Sequence, residues 1–454
     1  MKSITSLAED QGVRTHMEGF LTEFKIGTLL NRAGIRKIRG ISPLLALRTV
    51  FELAFLGRNI YTGVHLNETA SMGKDVLYRF LSYERFNWRR FLGSLAQVVI
   101  NTFFVPLTDE EREKVLVLDI TIYNRCRSRC VELLSRVYDH CQDRYLNGFR
   151  LMLLGWSDGS SFVPLEHALL TSPKKKNRIQ GIIKKLDGRT CGARRRKEAL
   201  TKSTDLILPM VKRALGLFIP AKYLLMDSWF AFPVLIRSLM QTIHVICMLK
   251  NTPKIHYDYA GQSLTLSQIY KKIRKRRGKA QIKGSVLVGI GENKSAKIVF
   301  VRSRRGGAKW LAVLSTNVLL PDEEVIRIYG KRWDIEVFFK MAKHYLKLDS
   351  EVQVRDFDSI VAHSTIVMLR YIFLAVQQRI SSDERTLGPL FMDSSDEMRD
   401  LSLADALIRI LSLVYDRVRD LYATSEQLII EIIEVTMKEA LKLISSGAGL
   451  KCES

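Results

Sequence analysis

The chain has 454 residues and a mass of 52.0 kDa, enough for two or three domains. Hydrophobic residues at 47% and charged residues at 26% are ordinary globular proportions and exclude a disordered, collagen-like or coiled-coil chain. Lys and Arg outnumber Asp and Glu 71 to 47, and an excess of 71 − 47 = +24 is self-repelling unless a polyanion offsets it, which points to nucleic acid before an anionic membrane surface.

Residues 1 to about 105 read as helical. LLALRTVFELAFL and DVLYRFLSYERFNWRRFLGSLAQVVINTFF carry apolar residues at mixed spacings of three and four. The N-terminus has no apolar stretch of signal-peptide type, and the charge-free run Phe91–Thr108 reads as buried core rather than a membrane span. After the polar turn PLTDEEREK the pattern changes. VLVLD (115–119) is a short run suited to a buried strand ending at Asp119. GFRLMLLGW (148–156) and SFVPLEHALL (161–170) read as two strands joined by SDGS. RRKEALTKSTDLILPMVKRAL reads as one amphipathic helix, YLLMD (223–227) as a strand ending at Asp227, FPVLIRSLM as a helix and HVICMLK as a strand.

From about 254 to 318 the rhythm breaks. KGSVLVGIG, AKIVFVRS and KWLAVLSTN read as antiparallel strands between Gly-rich or charged turns. PDEEVIRIYGKRWDIEVFFKMAKHYLKL then reads as one long helix, with Pro321 and acidic residues at its start where the helix dipole favours them. Further helices close the chain. The six cysteines are too few for a disulfide scaffold and read as reduced thiols of a cytoplasmic protein; Cys126, Cys130, His140 and Cys141 lack the paired short spacing of a zinc site.

Three acids stand out by position. Asp119 and Asp227 end predicted strands, and Glu336 lies on the helix after the insert. Ligands gather at the carboxyl ends of strands in open α/β sheets. Three carboxylates there repel one another unless cations bind among them, and oxygen-only ligands select Mg²⁺ or Mn²⁺. Two such ions suit phosphoryl transfer. Taken singly, each acid is more often an exposed surface residue. On one continuous helix Tyr329, Arg332, Glu336 and Lys343 fall within roughly 60° of arc. A phenol, a guanidinium, a carboxylate and an ammonium on one stripe do not make a core face, although a solvated stripe with an Arg332–Glu336 ion pair would carry the same residues. The other side, with Trp333, Ile335, Phe338 and Phe339, suits packing.

The segment YGKRWDIEVFFKMAK fits Y-x2-R-x3-E-x6-K, and that string resembles the signature of cut-and-paste DDE transposases of bacterial insertion sequences. VLVLDITIYNR resembles the family's first-Asp strand and YLLMDSWFAFP its second-Asp strand, so the resemblance covers about residues 110 to 380. Many relatives carry a second Asp beside the first, whereas Leu118 and Ile120 flank Asp119 here. The resemblance implies an α/β fold: a ribonuclease-H-like mixed-sheet core with a β-rich insertion, flanked by helical N- and C-terminal regions. The implied organisation is a helical DNA-binding region over 1–108, a core over 109–253 and 319–380, the insertion over 254–318, and a C-terminal helical region over 381–454 where two copies are expected to meet.

It further implies that Asp119, Asp227 and Glu336 bind two Mg²⁺ or Mn²⁺ ions, and that Tyr329, Arg332 and Lys343 contact DNA near the cleaved strand. Relatives free the element end through a DNA hairpin, with an aromatic residue of the insertion stacked on a flipped base. Trp310 is the candidate for that role, or else a core residue of the insertion; Trp229 is assigned to packing. The expected partners are double-stranded DNA, as transposon ends and target, and a second copy of the chain, acting at the bacterial nucleoid without a membrane. Between Thr171 and Lys202 there are twelve Lys and Arg against two acids, and between Gln268 and Lys283 eight against none, which suits phosphate tracks as well as solvated loops. ASMGKDVLYRFLS, with Lys74 and Arg79, is a candidate recognition helix. A nuclease of the same fold without strand transfer and a transposase-derived DNA-binding protein without activity are the alternatives. The intact acidic trio speaks against the latter.

Overall fold

The computed structural model describes residues 16–36, 40–65, 73–139, 142–276, 280–303 and 310–380. Five helices come first: α1 (His16–Glu23), α2 (Ile26–Arg32), α3 (Pro43–Leu53), α4 (Lys74–Ser82) and α5 (Trp88–Val99). The start of α3 is set by Ser42, whose hydroxyl accepts from the Leu45 N–H, with Pro43 in the first helical position. Asn87 caps α5 by accepting from the Arg90 N–H.

The α/β core follows with β1 (Val115–Asn124), β2 (Ser135–Asp139), β3 (Arg144–Ser157), β4 (Phe162–Leu170), α6 (Cys191–Ala199), α7 (Ser203–Gly216), β5 (Tyr223–Met226), α8 (Pro233–Met240) and β6 (His244–Met248). β7 (His256–Tyr259), β8 (Gln262–Thr265), α9 (Leu266–Lys272), β9 (Ile282–Gly289), β10 (Ser295–Arg302) and β11 (Trp310–Ser315) make the insertion, and α10 (Asp322–Gly330), α11 (Trp333–His344) and α12 (Phe357–Ile380) end the described chain.

All eleven strands join one mixed sheet in the order β2-β3-β1-β5-β6-β11-β10-β9-β7-β8, with β4 beside β3. The centre is ribonuclease-H-like: β4, β3 and β1 pair antiparallel, and β1, β5 and β6 pair parallel. The apolar residues Val115–Leu118 of β1 are flanked on both sides and wholly buried, as such a run requires. The β-rich insertion continues this sheet, because β11 pairs antiparallel with β6.

α12 is the helical axis of the molecule, buried from Phe357 to Val376. Phe373 receives Phe20 and Phe51 of the N-terminal helices and Phe55 from the turn after α3 at ring separations of 5.5, 5.7 and 6.0 Å. Fully buried Arg370 donates to the carbonyls of Val50, Phe51 and Leu346 and pairs in a fork with Glu351 at 2.6 and 2.9 Å. Among the described residues two helical stretches, Trp88–Leu107 and Phe357–Ile380, are long and apolar enough to cross a membrane, but the apolar window of the second is entirely buried within the protein.

Several elements differ from expectation. β1 runs on through Asn124, because Asp119–Asn124 keep pairing with Leu153–Gly148 of β3 after the apolar run ends, so Asp119 sits mid-strand. The single helix expected over 195–215 is two, α6 and α7, separated at residues 200–202 where Leu200 ends the first. The long helix expected after Pro321 is broken at Lys331–Arg332, where the amides of both residues bond back three residues, to Ile328 and Tyr329. β2, β7, β8 and α9 escaped the pattern because they are short and mostly half-exposed.

Candidate active site

Parallel pairing puts two of the acids side by side. Leu118 of β1 is in register with Met226 of β5, and the next residue on each strand is Asp119 and Asp227. The third is delivered by α11. Arg332, at the head of that helix, donates through one Nη1 to Asp119 Oδ2 at 3.0 Å and to Glu336 Oε1 at 3.2 Å, joining strand and helix through one guanidinium. Lys343, two turns further on, donates to Thr121 Oγ1 at 2.7 Å, two residues beyond Asp119 on the same strand. The Tyr329 hydroxyl lies 3.4 Å from the carbonyl oxygen of Met226, immediately before Asp227. Six of the seven predicted site residues therefore meet at one place, even though the helix that carries four of them is broken.

The electrostatics are those of crowded carboxylates. Burial, first of all, and then the charges of Glu336 and Asp227 push the Asp119 carboxyl up to about 7, against the Ile120 N–H and the Arg332 guanidinium that favour its ionised form. Burial also holds the Tyr329 phenol well above its ordinary range, so it stays protonated. The Glu336 side chain is 41% exposed against 16% for Asp119, so the cluster opens to solvent on its helix side. Among the described residues no three acidic, His or Cys side chains are drawn together closely enough to hold a metal ion, and Arg332 occupies the space between Asp119 and Glu336 as their counter-charge. The donor set itself, three carboxyl groups offering only oxygen, one of them raised to about 7 by burial and like charge, fits a hard divalent cation.

Trp310 lies apart, at the start of β11, two strand spacings or roughly 10 Å from β5. Its ring stacks on Tyr270 at 4.7 Å and meets Phe300 edge-on at 5.3 Å, while the Lys275 ammonium lies 4.7 Å from the Tyr270 ring centre. Two other tryptophans differ from their packing assignment. Trp229, two residues after Asp227, is 45% exposed, with the Arg150 guanidinium 5.6 Å from its ring, and Trp333 of α11 is 61% exposed. Ile335, Phe338 and Phe339 are buried as expected. Thr121, the partner of Lys343, was not singled out in the sequence, although the alternation in DITIYN places it on the same strand face as Asp119.

Strand directions bring the basic segments to the same sheet edge. β11 pairs with β6 through Val313 and Met248, so Trp310 stands three residues beyond the carboxyl end of β6. Arg302 pairs with Trp310, Ile282 with Val301, and the Arg276 amide bonds to Lys283, which places basic residues 274–276 at that edge too. On the other side, the segment around 174–189 is fastened to the loop after β1. The Ile179 amide donates to Leu134 O at 2.7 Å, and the Ile183 and Lys184 amides donate to Glu132 Oε1 at 3.0 and 3.1 Å. Lys174, Lys175, Lys176, Lys185 and Arg189 face outward from it.

In α4 the apolar residues Leu77, Phe80 and Leu81 turn inward and Arg79 outward, while residues 70–72 of the candidate recognition helix lie outside the described chain. Cys126 and Cys130 are exposed, and His140 and Cys141 also fall outside the described residues.

Two family models match the chain. One, described as DDE superfamily endonuclease, covers residues 57–282 and so includes Asp119 and Asp227. The other, described as Transposase DDE domain, covers 195–373 and includes Asp227, Tyr329, Arg332, Glu336 and Lys343. No curated protein matches.

Proposed function

We propose, from the premise that this chain belongs to the DDE transposases, that it binds the ends of an insertion sequence and cuts and rejoins DNA there by a cut-and-paste route through a hairpin. The observation that carries this reading is the Arg332 guanidinium joining Asp119 to Glu336, with Asp227 at the neighbouring strand end beside Asp119. Asp119, Asp227 and Glu336 would hold Mg²⁺ or Mn²⁺, two ions per site. Bound there, the ions would stabilise charge on the attacking and leaving oxygens at phosphorus. Arg332, which bonds Asp119 and Glu336 here, would offer its planar fork to a phosphate were those carboxylates to hold the ions. Lys343, on the same stripe of α11, adds a point charge. The protonated Tyr329 hydroxyl is a donor aimed at the end of β5. The exposed side of Glu336 is the side from which DNA approaches.

The basic segments on either side of this site, at the same sheet edge, support a DNA path that crosses the carboxylates at its middle. Two ends must be held together for excision, so a dimer on DNA is part of the reading, and its contact is assigned to residues 381–454, outside the described chain. Trp310 is retained as the base-stacking residue because it stands at that edge with a partly open ring.

The test is incubation of the full chain with linear DNA carrying the element ends and Mg²⁺. Nicks, hairpins and, with a target, strand-transfer products are expected. Nicks without joined products would leave only a nuclease. Asp119→Ala is expected to abolish cleavage and leave end binding within a few-fold; lost binding with unchanged cleavage would remove Asp119 from the chemistry.

A further inference from the structure

The junction between α10 and α11 carries two charged residues, buried Lys331 and half-buried Asp334, that none of the roles above use. Lys331 is only 9% exposed, and among the described residues no carboxylate lies within salt-bridge distance of it. Its ammonium donates instead to the carbonyl oxygen of Glu113, just ahead of β1, and to that of Asp158 at 3.1 Å, in the β3–β4 turn. Three residues on, Asp334 Oδ2 accepts from Ser157 Oγ, at the end of β3 where that turn begins, at 2.5 Å.

The turn is built to receive them. The Asp158 carboxylate is fully buried and accepts from the amides of Ser160 and Ser161 at 2.8 and 2.7 Å and from Thr108 Oγ1 at 2.6 Å. Gly159 has φ +89°, and a β-carbon there would stand 3.0 Å from Lys331 Cε, so only glycine gives the lysine stem its room. The anchored residues bracket Arg332 and stand just ahead of Glu336. At the same place the backbone tightens into turns bonded three residues back. Such turns, at Lys331, Arg332, Asp334 and Ile335, are wound at about 120° per residue instead of 100°, so the junction sets the direction in which the side chains of α11 point relative to Tyr329.

We propose that Lys331 and Asp334 are positioning residues: seated in the β3–β4 turn, they hold the α10–α11 junction so that Arg332 and Glu336 face Asp119 and Asp227. The inference rests on the transposase reading of the site. Neither residue touches the carboxylates, so both act through α11.

The experiment uses the full chain and its Lys331→Met, Lys331→Arg and Asp334→Asn variants. The readouts are melting temperature, Mn²⁺ affinity by electron paramagnetic resonance without DNA, and kcat and KM for cleavage of end DNA. In Lys331→Met, Mn²⁺ binding weakens at least about tenfold and kcat falls about 100-fold, as for a group displaced by about an ångström, while KM stays within about twofold. Lys331→Arg, which keeps the cation and its donors, recovers most of both. If Lys331→Met does not fold, Asp334→Asn carries the test, because it keeps the shape and alters one hydrogen bond; the same split between kcat and KM is expected at smaller size. Wild-type Mn²⁺ affinity and kcat in a folded variant, or losses that follow melting temperature alone, overturn the positioning role. A wild-type chain that neither binds Mn²⁺ nor cuts DNA overturns the transposase reading first, and this inference with it.

Discussion

Asp119 shows how far residue type and position carry in a sequence. The run VLVLD marked a buried strand with an acid at its end, and parallel pairing with YLLMD puts Asp227 beside it. What the residues could not disclose was Arg332 standing between Asp119 and Glu336, because its contact with Asp119 spans 213 positions. The tryptophans were least legible: an indole carries no mark of whether its ring is covered. Trp310, expected to stack on a base, already stacks on Tyr270, whereas Trp229 and Trp333 are open to solvent. If Trp310 takes a flipped base, Trp310→Ala lowers hairpin yield about ten- to hundredfold, the worth of one base stack, with first-strand nicking nearly unchanged. Equal loss of both steps, together with a lower melting temperature, would assign the ring to the insertion's core.

Among elements, strands with long apolar or alternating runs were found and short half-exposed ones were not, since periodicity needs several residues to register. α12 was legible as a helix but not as the centre of the fold. Its apolar residues run all round, as expected of a helix covered on every side. The charge at its middle explains how it is held. Arg370 meets Glu351 and three backbone carbonyls from two other parts of the chain, so none of these buried groups is left without a partner. Removing the cation alone strands Glu351 in the interior beside His363, whose imidazole burial pulls toward the neutral form. Arg370→Met is therefore expected to cost about 3–5 kcal/mol in urea denaturation, far more than an exposed pair would. A cost below about 1 kcal/mol would show that the network contributes little.

At the scale of the whole molecule, net charge was the most direct signal in the sequence, and the fold gives it a direction. Clusters far apart in the chain come to one sheet edge on opposite sides of the carboxylates, an arrangement that depends on strand order and was invisible in the sequence. Binding to DNA should therefore be strongly salt-dependent. With six or more phosphates contacted, affinity is expected to fall roughly 10³-fold between 50 and 200 mM salt, measured by fluorescence anisotropy. Neutralising Lys174, Lys175 and Lys176 together should flatten that slope without altering preference for one end sequence over another. A slope unchanged by their removal would take that segment off the DNA path.

The way β11 lies against β6 constrains how such a chain can be shortened or lengthened. Val313–Ser315 satisfy amides and carbonyls of Ile246–Met248 that would otherwise form a bare sheet margin, ready to recruit strands from neighbouring molecules. Excising 254–318 would leave behind a sticky, aggregation-prone remnant instead of a minimal enzyme. Growth at the far margin, beyond β8, asks nothing of the strands that carry Asp119 and Asp227, so extra length is expected to be tolerated there.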